Sequence, residues 1–257
     1  DSTLIAKYNA SGTIQWQRQF NNGSYGLDPR GITTASNGDV YCVGATTINQ
    51  GSTGGDSFIA KYNSSGTLQW QKVLKTNGQD IFENVITNSS NEPVAVGWQS
   101  GEGAGSDKFI AVTADSSNNY YAVGTSDSTT ADSRDILIVK YNSSGTLQWQ
   151  RKLGLTDYLD DFPKISIDSL GDLVILFGSQ GLGAGATDYL VAKLPTGTYT
   201  LDGINFYYSA SSLTSATSSL TAENGSETHS TPSYTSNSIS LTASTATFSE
   251  ELVGIPE

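Results

Sequence analysis

The chain has 257 residues, enough for one large β domain plus an appendage. Its 13 Lys and Arg face 25 Asp and Glu, so the formal net charge is -12 and the pI about 4.3. This charge repels phosphate backbones and anionic lipids, which argues against nucleic-acid and membrane-surface binding. Charged residues are only 15% of the chain, against about 25% in ordinary soluble domains, so Gly, Ser, Thr and Asn supply the polar surface.

Targeting and redox signals are sparse. No run approaches the roughly 18 apolar residues of a membrane-spanning helix, and nothing resembles a signal peptide. The sequence begins at Asp1 instead of Met, as expected of a processed or excised piece. The single cysteine, Cys42, lies in an apolar run and is predicted to be a small buried side chain without a disulfide partner.

One segment repeats along the chain. Residues 7–17 recur almost letter for letter at 61–71 and 140–150, and a degraded copy covers 189–198. Each copy reads as an apolar strand, a polar turn with Gly, and a second strand that carries a Trp. This pattern predicts a β-hairpin, the first hairpin type, whose turn glycine adopts positive φ. The three turn glycines are Gly12, Gly66 and Gly145.

A second hairpin type alternates with the first. Its copies are residues 32–44, 85–97, 112–124 and 165–178, and each consists of a strand, a polar turn, an apolar strand and a closing Gly. Lys7 and Lys61 are 54 positions apart, so one period holds two hairpins, or four strands. Four-stranded periods predict an all-β, propeller-like array of about four blades. A β-solenoid is the alternative, but its coils repeat at shorter periods.

The third period is shortened. Lys108 to Ala111 begins a first-type hairpin and continues directly into Val112, so about 24 residues are missing relative to the other periods. Either a blade lost a hairpin, or the sequence is joined across an unobserved segment. With about four periods, the array is a small or open ring, or belongs to a protein with more blades.

Composition divides the chain after residue 194. Residues 1–194 form the predicted repeat domain. Residues 195–257 contain no Lys or Arg and are rich in Ser and Thr. They are expected to be a flexible linker, or short strands of a stalk or assembly layer.

No catalytic, metal-binding or cofactor-binding constellation is found. His229 is the only histidine and lies in a predicted linker without partners at ligand spacing. The pair Asp160 and Asp161, near Asp157, is predicted to be a solvated loop, because neighbouring strand residues point to opposite faces. The Gly-rich segments 101–105 and 181–185 lack a following helix for anion binding and are predicted to connect blades. The protein is therefore predicted not to be an enzyme.

Tryptophans mark two kinds of position. Trp16, Trp70 and Trp149 occupy one equivalent repeat position, which favours packing between sheets over an aromatic ligand ring. Trp98 stands outside the pattern, in the loop-like stretch 97–99, and is the better candidate for a binding contact.

The units Phe-Ile-Ala-Lys-Tyr-Asn-Ser-Ser-Gly-Thr-Leu-Gln-Trp and Val-x-x-Val-Gly resemble the SBBP-type β-propeller repeat over residues 3 to 194. The sequences of these units, together with the later Ser-Ser-Leu-Thr segments, also resemble those of structural proteins of marine cyanobacterial phages. The first resemblance implies a propeller in an extracellular or virion-surface setting, without catalytic residues. The shortened third period and the degenerate last one depart from the family pattern and put ring closure in doubt.

Two functions follow as expectations. The first is a phage virion appendage, such as a tail fibre, whose loops contact a host-surface glycan or protein while other virion proteins hold it. The second is a secreted or cell-surface bacterial adhesion module. Either one could be a homo-oligomer. A propeller glycan hydrolase or lyase would need convergent carboxylates or a metal, and the scarcity of His and of acidic residues outside the repeats argues against it.

Overall fold

The fold is all-β, as predicted. A computed structural model describes residues 3–21, 27–46, 55–75, 78–100, 107–127, 134–155, 160–180, 187–194, 206–210, 221–224 and 228–230. Within these ranges every regular element is a β-strand and none is a helix. The strands pair antiparallel in each sheet.

The strands in chain order are β1 (Thr3–Tyr8), β2 (Ile14–Asn21), β3 (Leu27–Thr34), β4 (Val40–Thr46), β5 (Ser57–Tyr62), β6 (Leu68–Lys75), β7 (Asp80–Thr87), β8 (Pro93–Gln99), β9 (Lys108–Ala114), β10 (Tyr120–Asp127), β11 (Arg134–Tyr141), β12 (Leu147–Leu155), β13 (Asp160–Ile167), β14 (Leu173–Ser179), β15 (Asp188–Leu194), β16 (Phe206–Ala210), β17 (Thr221–Asn224) and β18 (Thr228–Ser230).

Among the described residues these strands form five sheets. Sheet I has the order β1-β2-β18, sheet II β17-β6-β5-β4-β3, sheet III β7-β8, sheet IV β16-β12-β11-β10-β9 and sheet V β13-β14-β15. A second-type hairpin followed by a first-type hairpin forms the four consecutive strands of sheets II and IV. The four-strand period is therefore real, and each complete sheet begins with the second hairpin type.

Sequence pattern explains which strands lie in the middle. The run from Val40 to Ala45 is apolar or small at every position, and all of these residues are buried in β4. A continuous apolar run of this length is typical of a strand covered on both faces. The register is also repeated, because Val43 pairs with Ile59 in sheet II as Val123 pairs with Ile138 in sheet IV.

The sheets pack in chain order. β7 lies against β3, β4 and β5, while β13 lies against β9, β10 and β11. Three clusters of buried side chains fill the spaces between successive sheets. One joins sheets I and II around Trp16 and Tyr62, one joins II and III around Val43 and Val85, and the largest joins IV and V around Ile138.

The shortened period leaves an incomplete sheet. Lys108–Ala114 forms one strand, β9, which takes the first place in sheet IV. Sheet III consequently contains only the second-type hairpin β7-β8 in the described part of the chain. The residues of β8 are half-buried, whereas the corresponding β4 and β10 are mostly buried, because their sheets continue on the far side.

The three C-terminal strands extend earlier sheets. β16 pairs with β12, β17 with β6 and β18 with β2, so each continues a sheet beyond a first-type hairpin. The alternative of short strands is therefore observed for these residues. The prediction that His229 lies in a linker is wrong, since its backbone belongs to β18 and pairs with Phe20.

Two further predictions about connections are wrong. Asp160 and Asp161 were expected in a loop but begin β13, and Asp160 is completely buried. Asp157 and the Gly-rich segments lie outside the described residues. Segment 181–185 nevertheless joins β14 and β15 of one sheet, so it does not connect two blades, whereas 101–105 runs between sheets III and IV.

Candidate functional site

Tight turns gather at one end of the molecule, which we call the turn end. In an antiparallel sheet successive connections alternate between the two ends of the strands. The connections β3–β4 and β5–β6 therefore lie together, and Gly38 of the first comes close to Ser64 of the second. Hydrogen bonds from Trp16 to Ser64, from Ser36 to Asn91 and from Ser89 to Asn118 bring the turns of sheets I, III and IV to the same end.

Seven turns of the described chain share one backbone hydrogen-bond pattern. In each, the first residue donates to the fifth residue's carbonyl, and the fourth residue donates to the first residue's carbonyl, at 2.8–3.0 Å. This is the geometry of a three-residue hairpin loop with a bulge. The turns are 9–13, 35–39, 63–67, 88–92, 115–119, 142–146 and 168–172.

The fourth residue of each turn has positive φ. Gly12, Gly66 and Gly145 have φ values of 78°, 76° and 78°, and the positive φ predicted from the repeat pattern is thus observed. In the second-type turns this place is taken by Gly or Asn, the residues that tolerate it best. Those residues are Gly38 at 86°, Asn91 at 63°, Asn118 at 58° and Gly171 at 88°.

In six of the seven turns the side chain of the first residue accepts hydrogen bonds from the loop backbone. Asn9 Oδ1 accepts hydrogen bonds from the Ser11 amide, the Ser11 hydroxyl and the Thr13 amide, at 3.1, 2.7 and 2.8 Å. Asn63 and Asn142 repeat all three bonds. Asn or Asp side chains favour such turns because they mimic a backbone acceptor. The first-type turns therefore share one set of side-chain hydrogen bonds.

Ala35 is the exception among these first residues, and the next sheet compensates for it. Asn91 Oδ1, from the turn of sheet III, accepts from the Ser36 amide at 2.9 Å and from the Ser36 hydroxyl at 2.7 Å. The Tyr41 hydroxyl also donates to the Asn91 carbonyl at 2.9 Å. The side chain of a positive-φ Asn thus ties its own turn to the preceding one.

The side chain of a positive-φ Asn also links the turns of sheets III and IV. Asn118 Oδ1 accepts from the Ser89 amide at 3.1 Å, and Asn118 Nδ2 donates to the Ser89 hydroxyl at 2.7 Å. The fourth residue of the sheet V turn is Gly171, which has no side chain to make such a bond. The second-type turns of sheets II, III and IV therefore form a row joined by hydrogen bonds.

The repeated tryptophans all pack between sheets. Trp16 of sheet I stacks on Tyr62 with ring centroids 6.3 Å apart and donates its indole N–H to the Ser64 carbonyl at 3.0 Å. Its ring covers Gly66, where a Cβ would come within 2.5 Å. Trp70 and Trp149 are only partly buried, and lie beside Tyr41 and Tyr121 at 5.9 and 6.1 Å.

Trp98 does not lie in a loop, and that prediction is wrong. It belongs to β8, donates its indole N–H to Glu83 at 3.0 Å, and has the Lys108 ammonium 4.4 Å from its ring centroid. Glu83 also faces Arg30 of sheet II at 3.7 Å. Trp98 therefore links sheets III and IV, Glu83 extends the contacts to sheet II, and the polar atom and one ring face of Trp98 are already engaged.

Ion pairs support the turns at their base. Lys61 contacts Asp39 at 2.7 Å and lies 5.4 Å from the Tyr41 ring centroid, and hydrogen bonding to Lys61 lowers the pKa of Asp39. Lys193 contacts Asp168 and Asp172 at 2.7 and 3.1 Å, and its hydrogen bond lowers the pKa of Asp168. The lowered pKa values keep Asp39 and Asp168 charged at neutral pH.

A second group of polar residues lies between sheets IV and V, and two of its members, Asp135 and Asp160, are buried. Asp135 contacts Lys152 at 3.1 Å, and a Cβ at Gly154 would lie only 2.5 Å from a carboxylate oxygen of Asp160 and 2.9 Å from one of Asp135. Arg134 bridges Asp127 and Asp161 at 2.7 and 2.9 Å. Within the described residues no group of three or more His, Cys, Asp or Glu side chains is arranged to hold a metal ion.

A groove opens between sheets I and II. It has a volume of about 310 Å³ and lies between β1 and β3, with Cys42 on its lining. Cys42 itself is buried, as predicted, and burial raises the pKa of its thiol to about 12. The thiol is thus protonated and unsuited to nucleophilic chemistry.

A search against models of known protein families found no match for this chain, and curated protein sequences contained none either. No helix in the described ranges has the length and apolarity to cross a membrane.

Proposed function

We propose that the chain is a non-enzymatic display module of a phage virion, a tail fibre or another tail-associated appendage. The observation that carries the proposal is the turn end, where hairpin turns of one backbone geometry stand side by side. Hydrogen bonds within and between these turns favour rigid presentation of hydroxyl and amide groups. Ordered loops on a sheet scaffold are a common form of recognition surface.

The resemblance to SBBP-type repeats extends this proposal to the architecture. We take sheets II and IV as blades of a propeller-like array, and sheets I, III and V as partial blades. Other virion proteins would bind the array, and a host-surface glycan or protein would contact the turn end. The acidic, hydroxyl-rich composition suits a particle exposed to water.

Cryo-electron microscopy of the native particle tests the proposal directly. We expect density for the chain at a regular, symmetric position on the virion, with the turn end facing outward. Density for a free or cell-anchored protein, or a turn end buried against the particle, would contradict it.

Binding to host cells tests the role of the turn end. Ser90 and Ser143 are exposed turn residues, whereas Phe162 is exposed near the start of β13, far along the strand from its turn. We expect Ser90→Arg and Ser143→Arg to reduce binding of the labelled protein to host cells, and the control variant Phe162→Arg to leave it unchanged. Equal loss in all three variants would show that the turn end has no special role.

The second candidate function is a secreted or cell-surface bacterial adhesion module. The same rigid turn end supports it, since adhesion also needs a fixed recognition surface. Genes for capsid and tail proteins beside the coding sequence would support the virion module. Neighbouring genes for secretion or surface anchoring would support the adhesion module.

A further inference from the structure

The outer face of sheet V exposes positions that are buried in the complete sheets. Leu176 pairs with Val191 in sheet V, as Val43 pairs with Ile59 in sheet II. Val43 and Ile59 are 0% and 8% exposed, whereas Leu176 and Val191 are 39% and 70% exposed. Tyr189, two residues before Val191 on the same strand face, is 68% exposed. We call Leu176, Tyr189 and Val191 the open face.

The complete sheets show what covers this face. In sheet II, Val43 and Ile59 pack against Val85 of β7, the first strand of a second-type hairpin. In sheet IV, the equivalent Val123 and Ile138 pack against sheet V, through β13, which is again the first strand of a second-type hairpin. In both complete sheets, this face is therefore covered by the first strand of a second-type hairpin.

A second copy of the chain is poorly suited to supply this occupant. Its β7 and β13 already lie against its own sheets II and IV. Its β3 lies beside β1, which occupies in sheet I the place that β15 occupies in sheet V. If β3 of a second copy docked on the open face, β15 of the first copy would have to occupy the position that the second copy's own β1 already fills.

We propose that the open face is a docking surface for a β-hairpin of the second repeat type carried by a different polypeptide. The hairpin would place an aliphatic side chain, equivalent to Val85, against Leu176 and Val191. Exposed apolar faces of this kind mark interaction sites in soluble proteins. The inference concerns the repeat architecture and holds whether or not the protein belongs to a virion.

Photo-crosslinking to a defined hairpin tests the inference. The probe is a biotinylated peptide of residues 78–100 with Asp80→Cys and Gln99→Cys, closed by a disulfide across the terminal pair of the β7–β8 ladder. The full chain carries p-benzoylphenylalanine in place of Val191. The control chain carries it in place of Leu170, a more exposed turn residue of the same sheet.

We expect labelling at position 191 to exceed labelling at position 170 by about fivefold or more, a ratio that corresponds to about 1 kcal/mol. A peptide that also carries Val85→Asp should lose this preference, because a carboxylate would face the apolar surface. Circular dichroism of both closed peptides checks that each forms a hairpin.

Three results would overturn the inference. The first is equal labelling at positions 191 and 170 by a folded peptide. The second is a crosslink from position 191 into residues 195–257 of the same chain, which would make the occupant an internal segment. The third is self-association of the unmodified chain in sedimentation experiments that is abolished by Val191→Asp.

Discussion

Sheets II and V carry the same strand register but differ in what lies on their outer faces. Ile59 is buried because β7 packs over it, whereas Val191, at the equivalent place in β15, is exposed. Both residues are β-branched and apolar, so residue type does not distinguish them. Burial in a stacked repeat is therefore supplied by the neighbouring sheet, as nearest-neighbour models of repeat proteins assume.

The largest expected effect is the difference in the free energy of unfolding between variants at covered and at exposed sheet positions. Ile138 of sheet IV is completely buried, so Ile138→Ala should lower the free energy of unfolding by about 2–5 kcal/mol. Val191→Ala should change it by no more than about 0.5 kcal/mol, because the side chain is exposed. Urea denaturation of the two variants measures the difference. Similar losses would mean that sheet V is covered in solution.

Turn glycines give the next effect. Gly66→Ala and Gly145→Ala both place a Cβ at positive φ, which costs about 1–2 kcal/mol. A Cβ at Gly66 would also collide with the Trp16 ring, whereas Gly145 has open space, so Gly66→Ala should cost about 1–3 kcal/mol more. Thermal denaturation compares the two. Equal costs would indicate that Trp16 moves away freely.

The row of second-type turns predicts a smaller effect. Asn91→Gly keeps a residue that accepts positive φ but removes the side-chain bonds to Ser36, so it should destabilise the protein by about 1 kcal/mol. Gly171→Asn, in the turn that has no such partner, should change stability little. Chemical denaturation with both variants checks this, and a neutral Asn91→Gly would contradict the proposed tie between turns.

The smallest expected effect is a dependence on pH. The pKa of Asp39 is lowered in the folded protein by Lys61, so its stabilising contribution is present above the unfolded pKa near 3.8. That contribution is lost as the pH falls through the lower folded pKa. Asp39→Asn should therefore flatten the fall of stability below about pH 4. An unchanged acid-unfolding profile would show that the pair contributes nothing.

Local sequence patterns made much of the fold and of the turn geometry predictable. The four-strand period, the hairpins and the positive φ of Gly12, Gly66 and Gly145 follow from residue order, since turn chemistry and strand alternation act over a few residues. The link between Asn91 and Ser36 was not predicted, although Asn or Gly at the fourth place of each turn was a visible signal. The contacts of Trp98 were not predicted either, because its partners Glu83 and Lys108 come from other strands.

The all-β class, the repeat and the turns follow from residue order alone, because they depend on contacts between residues that are near in the chain. Which faces are buried, the place of Asp160 at the start of a strand in a polar group between sheets, and the pairing of the C-terminal strands with earlier sheets all come from packing between distant parts of the chain. Those outcomes depend on which sheet stands beside another. Identical repeat units can therefore be interior at one place and exposed at the next.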